Sequence, residues 1–404
     1  MFSEDIFLFS EKKNIRFEQM KSDRICILTQ PLWNNYGALL QAYALQRRLL
    51  MAGYDAVTDL HPRRFLSFWQ RSADRGKRLV SHYILRNLTV ETSPYYPTRK
   101  DWEMIGENTA RFVRDNIRTV DFFEGGEYPP ASTVEKYDTF VVGSDQVWRD
   151  SYSRVESYFC DFAFGTDKKR VAYAASFGLA EWQFDARRTQ RLKELAGGFE
   201  AISVREKDAV ELCRRWLGAD AVHVCDPTLL LSRGDYEALV HKADTAPSAG
   251  NMMCYILDRS EEKALMCRQM AERLSLKPFE VMPERLLDSR NRHCDASCVF
   301  PKVEQWLRGF MDADFVFTDS FHGMVFAIIF HKPFAVVANA SRGLSRFESL
   351  TSLLGLGDRL VSEKERSRLP EMDRDVDFDR VEERLCGFRT VSEEFLFSAL
   401  EGEI

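Results

Sequence analysis

His322 lies in Thr318-Asp319-Ser320-Phe321-His322-Gly323, a polar stretch between two apolar ones. Imidazole is the side chain that changes charge near neutral pH, so a His exposed to a ligand there can take or give a proton. Asp319 supplies a carboxylate that could orient the ring, and Ser320 adds a hydroxyl. A helix beginning at this point would turn its free N–H groups toward an anion. The same residue types also suit a capping cluster around a structural His, and the sequence of this stretch leaves both readings open.

The flanking residues say how such a His would be held. Phe315, Val316 and Phe317 predict a short buried strand, and 324–330 is apolar throughout and predicts a helix. Pro333 stops that helix, and Phe334 to Val337 predicts the next strand. A strand, helix, strand unit is a right-handed parallel crossover, whose ligands bind beyond the carboxyl ends of the strands. The chain opens in the same way. Ile25–Leu28 predicts a strand, 36–52 has helical apolar spacing ended by Gly53, and 55–60 predicts a strand. The turn between them, Asn34-Asn35-Tyr36-Gly37, can offer backbone N–H groups to a ligand or serve as plain turn chemistry. Further strands at 139–142, 171–175, 201–204 and 221–224 each run into polar or small residues, among them Gly143-Ser144-Asp145-Gln146-Val147-Trp148, Arg205 and Asp226-Pro227-Thr228.

Two doubly wound α/β halves with parallel sheets follow from this alternation. The expected divisions are a polar extension over 1–22, a first half over 23–231 with a helical basic insertion at 61–130, a linker at 232–250, a second half over 251–370, and terminal helices over 371–404 that cross back onto the first half. The polar turns would line a cleft between the halves. In the insertion, Arg63, Arg64, Arg71, Arg75, Lys77, Arg78 and Arg86 face only Asp74, with Phe65, Phe68, Trp69, Tyr83 and Ile84 interleaved. This pattern suits contact between 63–86 and an anionic membrane or substrate, or a solvated basic face.

At 404 residues, 45% apolar and 29% charged, the chain has the composition of a soluble globular protein of two domains. A net charge of -6 argues against general nucleic-acid binding. Residues 1–20 include Glu4, Asp5, Glu11, Lys12 and Lys13, and 315–340 is broken by Asp319, His322, His331, Lys332 and Pro333. Neither a leader nor a membrane span is therefore expected, and the cytoplasm, at or near the inner face of the membrane, is the expected location. Nine scattered Cys suit reduced thiols. His293, Cys294 and Cys298 match no paired zinc spacing, so no metal or cofactor is expected.

Six motifs occur in order: Asn35-Tyr36-Gly37-Ala38-Leu39-Leu40, Gly143 to Trp148, Ser203-Val204-Arg205-Glu206, Asp226-Pro227-Thr228-Leu229-Leu230, Thr318 to Gly323, and Ser341-Arg342-Gly343-Leu344-Ser345-Arg346-Phe347. The set resembles the polysaccharide pyruvyl transferase family from about Ile25 to Leu360. The resemblance implies a glycosyltransferase-B-like fold of two Rossmann-like domains. It also implies transfer of the enolpyruvyl moiety of phosphoenolpyruvate to a sugar, or to a lipid-linked oligosaccharide, as a pyruvate ketal with release of phosphate. By motif it assigns the cleft His to His322 and cationic donor ligands to Arg205 and Arg346, and Asp319 is placed to orient the His. Arg205, Arg346, Ser320 and Gly323 would meet the donor, and Asn35, Tyr36, Gly37, Asp145, Gln146 and Trp148 the acceptor. Two positions depart from the family pattern. Ser320 stands where an Arg is common, and Ala38 where an Asp follows the Gly, with Arg342 a substitute for the missing cation.

The residue types suit that chemistry. The donor carries a carboxylate and a phosphate, which guanidinium forks fit. Ketal formation needs a proton delivered to a methylene carbon and one removed from a hydroxyl, both within reach of a His. A nucleotide-sugar glycosyltransferase of the same architecture and a non-catalytic carbohydrate-binding protein are the alternatives, since fold does not settle chemistry.

Overall fold

Short runs of β-branched, aromatic and small apolar residues become strands buried on both faces, the pattern a parallel sheet covered by helices requires. A computed structural model describes residues 23–63, 65–87, 90–151, 154–337, 343–362, 365, 368–369, 372 and 375–403. The expected extension over 1–22 lies outside these residues. The first domain runs β1 (Arg24–Leu28), α1 (Tyr36–Met51), β2 (Asp55–Asp59), α2 (Phe68–Leu79), α3 (Arg99–Ile105), α4 (Glu107–Asn116), β3 (Thr119–Val120), α5 (Ala131–Val134), β4 (Thr139–Val142), β5 (Lys169–Ala175), α6 (Ala186–Ala196), β6 (Ala201–Val204), α7 (Lys207–Leu212) and β7 (Val222–His223). The remainder runs α8 (Arg233–Lys242), β8 (Met252–Tyr255), α9 (Glu261–Leu274), β9 (Pro278–Phe279), α10 (Val303–Asp312), β10 (Phe315–Thr318), α11 (Phe321–Ile329), β11 (Phe334–Val337), α12 (Ser345–Leu354), β12 (Leu360–Val361) and α13 (Phe378–Glu401).

Both sheets are parallel throughout. The first has the order β3-β2-β1-β4-β5-β6-β7 and the second β12-β11-β10-β8-β9. Strand order therefore reverses between β1 and β4 and again between β8 and β10, and at such switch points the connecting loops part to leave a crevice. The loops after β1, β4 and β10 carry residues of the predicted site. The architecture is two Rossmann-like domains facing each other, the glycosyltransferase-B-like arrangement.

Three segments differ from the sequence reading. The stretch 232–250 is largely α8, closed at its start by a capping box between Ser232 and Asp235. Its Tyr236 is buried against Phe326, with ring centroids 4.9 Å apart, so this connection is packed into the core. The inserted stretch 61–130 is helical only in part, because Thr119 and Val120 return to the sheet beside β2. The terminal helices are one continuous α13, since Phe388, Arg389 and Ser392 between the two apolar stretches keep its inner face on the first domain.

α13 lies against the first domain. Phe397 stacks on Tyr54 at 6.3 Å, and Glu393 accepts from Arg48 at 2.6 Å. The buried hydroxyl of Ser392 accepts the backbone N–H of Cys225 at 2.9 Å. One apolar cluster continues from Ile27 and Leu39 through Trp306 and Phe326 to Leu396, so the two domains share a core. All nine cysteines are free thiols.

Ser392→Ala would leave the Cys225 N–H without its acceptor beneath α13. The expected loss is about 1–3 kcal/mol, the scale of an unsatisfied buried donor. Urea unfolding of parent and variant checks it, and an unchanged midpoint would show that this contact adds nothing.

Candidate active site

His322 is set by a strand that stops and a helix that starts at once. β10 ends at Thr318, and Ser320 caps α11 by accepting the N–H of Gly323 at 3.3 Å. His322 therefore stands in the first turn of α11, which starts three residues before the apolar run at 324–330. Its ring leaves its own domain and meets the first residues of α1. A Cβ on Gly37 would come within 2.1 Å of His322 Nδ1, so only glycine allows this approach.

Across from the ring is Asp226, at the carboxyl end of β7. Its Oδ2 is 3.5 Å from His322 Nε2 and accepts from Arg205 Nη1 at 2.9 Å. Its Oδ1 accepts from the Thr228 N–H at 3.0 Å and the Thr228 hydroxyl at 2.7 Å. Burial by itself would raise this carboxyl, yet His322, Arg205 and Thr228 outweigh it and hold Asp226 well below the usual carboxylate range. Asp226 thus stays ionised beside the His322 ring.

Arg205 is fully buried, and its second terminal nitrogen is 3.4 Å from Asp145 Oδ1. Burial would favour the neutral guanidine, but Asp145, Asp226 and Glu206 keep the charge on it. Its Nε is buried without a hydrogen-bond partner among the described residues. The Arg205 guanidinium lies 4.9 Å from the Phe321 ring centroid, and that of Arg346 5.6 Å from the same ring. Phe321, beside His322, is therefore a platform for two cations. Glu206 bonds the Ser176 hydroxyl, and burial outweighs its neighbours to raise its pKa.

The predicted residues divide. His322, Arg205, Arg346 and Asp145 are brought together. Arg342 lies outside the described residues. Asp319 does not orient His322: its buried carboxylate accepts the N–H groups of Leu257 at 2.7 Å and Asp258 at 2.9 Å, and pairs with Lys263 at 2.8 Å. Because β10 and β8 are neighbours, Asp319 clamps the loop after β8, and Asp226 holds the place beside the His. Ser320 and Gly323 serve the helix start, and a Cβ on Gly323 would strike Thr318. Trp148 is fully buried in the first domain, its indole N–H donating to the Tyr158 carbonyl at 3.1 Å, so it reaches no acceptor. Gln146 is also buried, its amide oxygen accepting from Arg149 at 2.7 Å. Tyr36 stacks on Trp306 at 5.5 Å and donates to the Pro301 carbonyl at 2.9 Å, tying one domain to the other.

A cavity of about 560 Å³ opens between the domains, with Asn35, Tyr36 and Asp145 on one wall and Tyr255, Leu257 and Phe300 on the other. Trp33 and Trp102 also line it, with ring centroids 5.6 Å apart. Asp145 belongs to both cavity and charge cluster, which places the two side by side. Asp145 has φ +71, the left-handed region that few such residues adopt, and this turn aims its carboxylate at Arg205. Among the described residues no group of three His, Cys, Asp or Glu could hold a metal ion. Asp226 and Phe321 were visible as residues of ordered motifs, but nothing local to them specified their partners.

No curated protein sequence matches the chain closely. Among solved structures, one of S. aureus MnaA with UDP is similar at 11% identity and a TM-score of 0.46, covering 95% of this chain and 98% of that one. The UDP-GlcNAc 2-epimerase of Neisseria meningitidis bound to UDP-GlcNAc is similar at 11% and 0.45, covering 94% and 99%. An alpha-glucosyltransferase in complex with UDP and a 13-mer DNA is similar at 11% and 0.45, covering 94% and 100%. The family model for polysaccharide pyruvyl transferase matches residues 35–341, a span that takes in Gly37, Asp145, Arg205, Asp226 and His322. With well over half of its length matched, the chain belongs to the polysaccharide pyruvyl transferase family and is a transferase.

Proposed function

We propose that this transferase moves the pyruvyl group of phosphoenolpyruvate onto two hydroxyls of a sugar in a cell-surface polysaccharide or its lipid-linked precursor. It would work in the cytoplasm, at the inner face of the membrane. In the net reaction the enol carbon C2 gains bonds to two acceptor oxygens, loses its bond to the phosphate oxygen, and keeps only a single bond to C3. The methylene carbon C3 takes a proton and becomes a methyl group. Of the two hydroxyl protons lost, one balances C3 and the other leaves with phosphate.

The observation that supports this reading best is the pairing of His322 with Asp226 across the cleft at 3.5 Å, with two guanidinium groups beside it. An imidazolium held by an ionised carboxylate is a proton donor for C3, and the same ring once neutral is a base for a hydroxyl. Arg346 takes one anionic group of the donor. Arg205 keeps Asp226 and turns its Nη2, only 3.4 Å from Asp145, toward the other. Asp145, with Asn35 at the cavity wall, meets the acceptor hydroxyls.

Phosphate release from phosphoenolpyruvate with a panel of sugars and lipid-linked sugars tests the proposal. Release that depends on one acceptor is expected. Thermal stabilisation by nucleotide sugars but not by phosphoenolpyruvate, with no release, would overturn it in favour of glycosyl transfer.

His322→Ala is expected to leave phosphoenolpyruvate binding near that of the parent and lower turnover by roughly 10²–10⁴, the scale of acid–base catalysis. Calorimetric binding together with steady-state rates checks both halves, and a fully active variant would remove His322 from the chemistry. Gly37→Ala would push a methyl group into the His322 ring. We expect turnover to fall by at least about ten-fold and stability by about 1–3 kcal/mol, the cost of overpacking. Equal rates in Gly37→Ala and parent would show that the ring tolerates displacement.

A further inference from the structure

α2 is amphipathic, yet it is turned inside out. It runs without a break into a wider helical turn at Val80–Ile84. At about 100° per residue, Phe68, Trp69, Leu79, Val80, Tyr83 and Ile84 fall on one half of this rod, and Arg71, Asp74, Arg78 and His82 on the other. In a globular protein the apolar half would face the core. Here Phe68, Trp69, Tyr83 and Ile84 are 70–79% exposed, and no residue of α2 is buried. The polar half is the seated one. Asp74, paired with Arg78 along the helix at 2.6 Å, accepts the Tyr96 hydroxyl, Arg75 lies over the Tyr96 ring at 5.6 Å, and His82 Nδ1 is 3.0 Å from the Val90 carbonyl.

We propose that this exposed face of α2 is a docking surface for an anionic membrane. Three features choose that occupant. Residues 65–87 hold five Arg or Lys against one acid, Asp74, in a chain whose net charge is -6. Arg75 and Lys77, both exposed, stand at the two edges of the apolar half, and the stem of Lys77 can lie along it with its charge at the lipid phosphates. The exposed aromatics include Trp69 and Tyr83, whose amphipathic rings suit the headgroup boundary. A second copy presenting the same face would bring like charges together. The rod is too short and too charged to cross a bilayer, and no described helix is long and apolar enough to do so. The helix therefore lies in the plane of the surface.

The position of the face connects it with the cavity. Arg63, before α2, lies 3.8 Å from the Trp102 ring and 5.0 Å from the Trp33 ring, two residues that line the cavity. Tyr95, next to the Tyr96 that seats α2, donates to Asp101 of α3 at 2.8 Å, and α3 carries Trp102. Docking would hold the cavity mouth near the bilayer, where a lipid-linked acceptor presents its sugars. This last step rests on the pyruvyl-transfer reading, but the docking itself does not.

The test uses the full chain without phosphoenolpyruvate. It is sedimented with vesicles rich in phosphatidylglycerol and, separately, with vesicles of phosphatidylcholine alone. Binding to the first and little to the second is expected, with release at high salt. Phe68→Ser, Trp69→Ser, Tyr83→Ser and Ile84→Ser together should lower partitioning at least about ten-fold with an unchanged unfolding temperature, since these side chains are exposed. A parent that ignores both vesicles, or a variant that binds as the parent does, would overturn the proposal. So would a change in the solution mass of the variant without vesicles, which would assign the face to a protein partner. Phosphate release with a water-soluble acceptor should be unaltered in the variant, and loss of vesicle binding alongside intact release separates docking from catalysis.

Discussion

The site depends on a buried charge cluster that neither domain holds alone. Arg205 and Asp226 are fully buried, and a charge taken out of water survives only with partners of the opposite sign. Breaking such a pair typically costs about 3–5 kcal/mol, so each member fixes the others. Asp226 is held by Arg205 and Thr228 from the first domain, and it faces His322 from the second. His322 thus faces a carboxylate that is itself held by a guanidinium. The arrangement needs Gly37 as well, because the ring crosses the domain boundary where any side chain on α1 would block it.

A cluster of this kind demands a fixed distance between the domains. The shared apolar core supplies it. Tyr36 packs on Trp306 and Tyr255 of the facing domain, and its hydroxyl is satisfied by a carbonyl there. Tyr236 of α8 does the same against Phe326 of α11. α13 then returns to the first domain and closes the edge with Lys169 donating to the Leu400 carbonyl, and with the buried Ser392 contact. Inter-domain surfaces of small polar character would allow wide rocking, but stacked aromatics and buried hydrogen bonds resist it.

The same rule of satisfied polar groups explains the one helix that breaks the usual pattern. α2 turns Asp74 and Arg75 to Tyr96, which leaves its aromatics in water. Among the described residues several of the most exposed large apolar side chains lie within 66–85, and a patch of that kind on a water-soluble surface marks contact with something else.

Periodicity and punctuation in the chain determined a great deal. The alternation of short apolar runs with helical spacing was enough for two parallel α/β halves, because strands buried on both faces must be apolar along their length. The ordered motifs were enough for the family and for the grouping of His322 with Arg205 and Asp145, since switch-point loops in this topology converge whatever their sequence separation. Pairing within that group was decided only by tertiary structure. Asp319, three residues from His322, was the nearest carboxylate in sequence but points to the loop after β8, while Asp226, far away in the chain, arrives beside the ring through the facing of two sheets. Trp148 sits in a motif of the cleft yet turns into the core, because side chains on one short turn diverge and local sequence does not say which of them meets solvent. α13 was read as two helices because the polar residues at its middle resemble a break, and a single helix forms there because one continuous face packs on the first domain. Which polar group meets which, across a chain separation of about a hundred residues, is fixed by packing and desolvation, and neither is encoded in any window of the sequence.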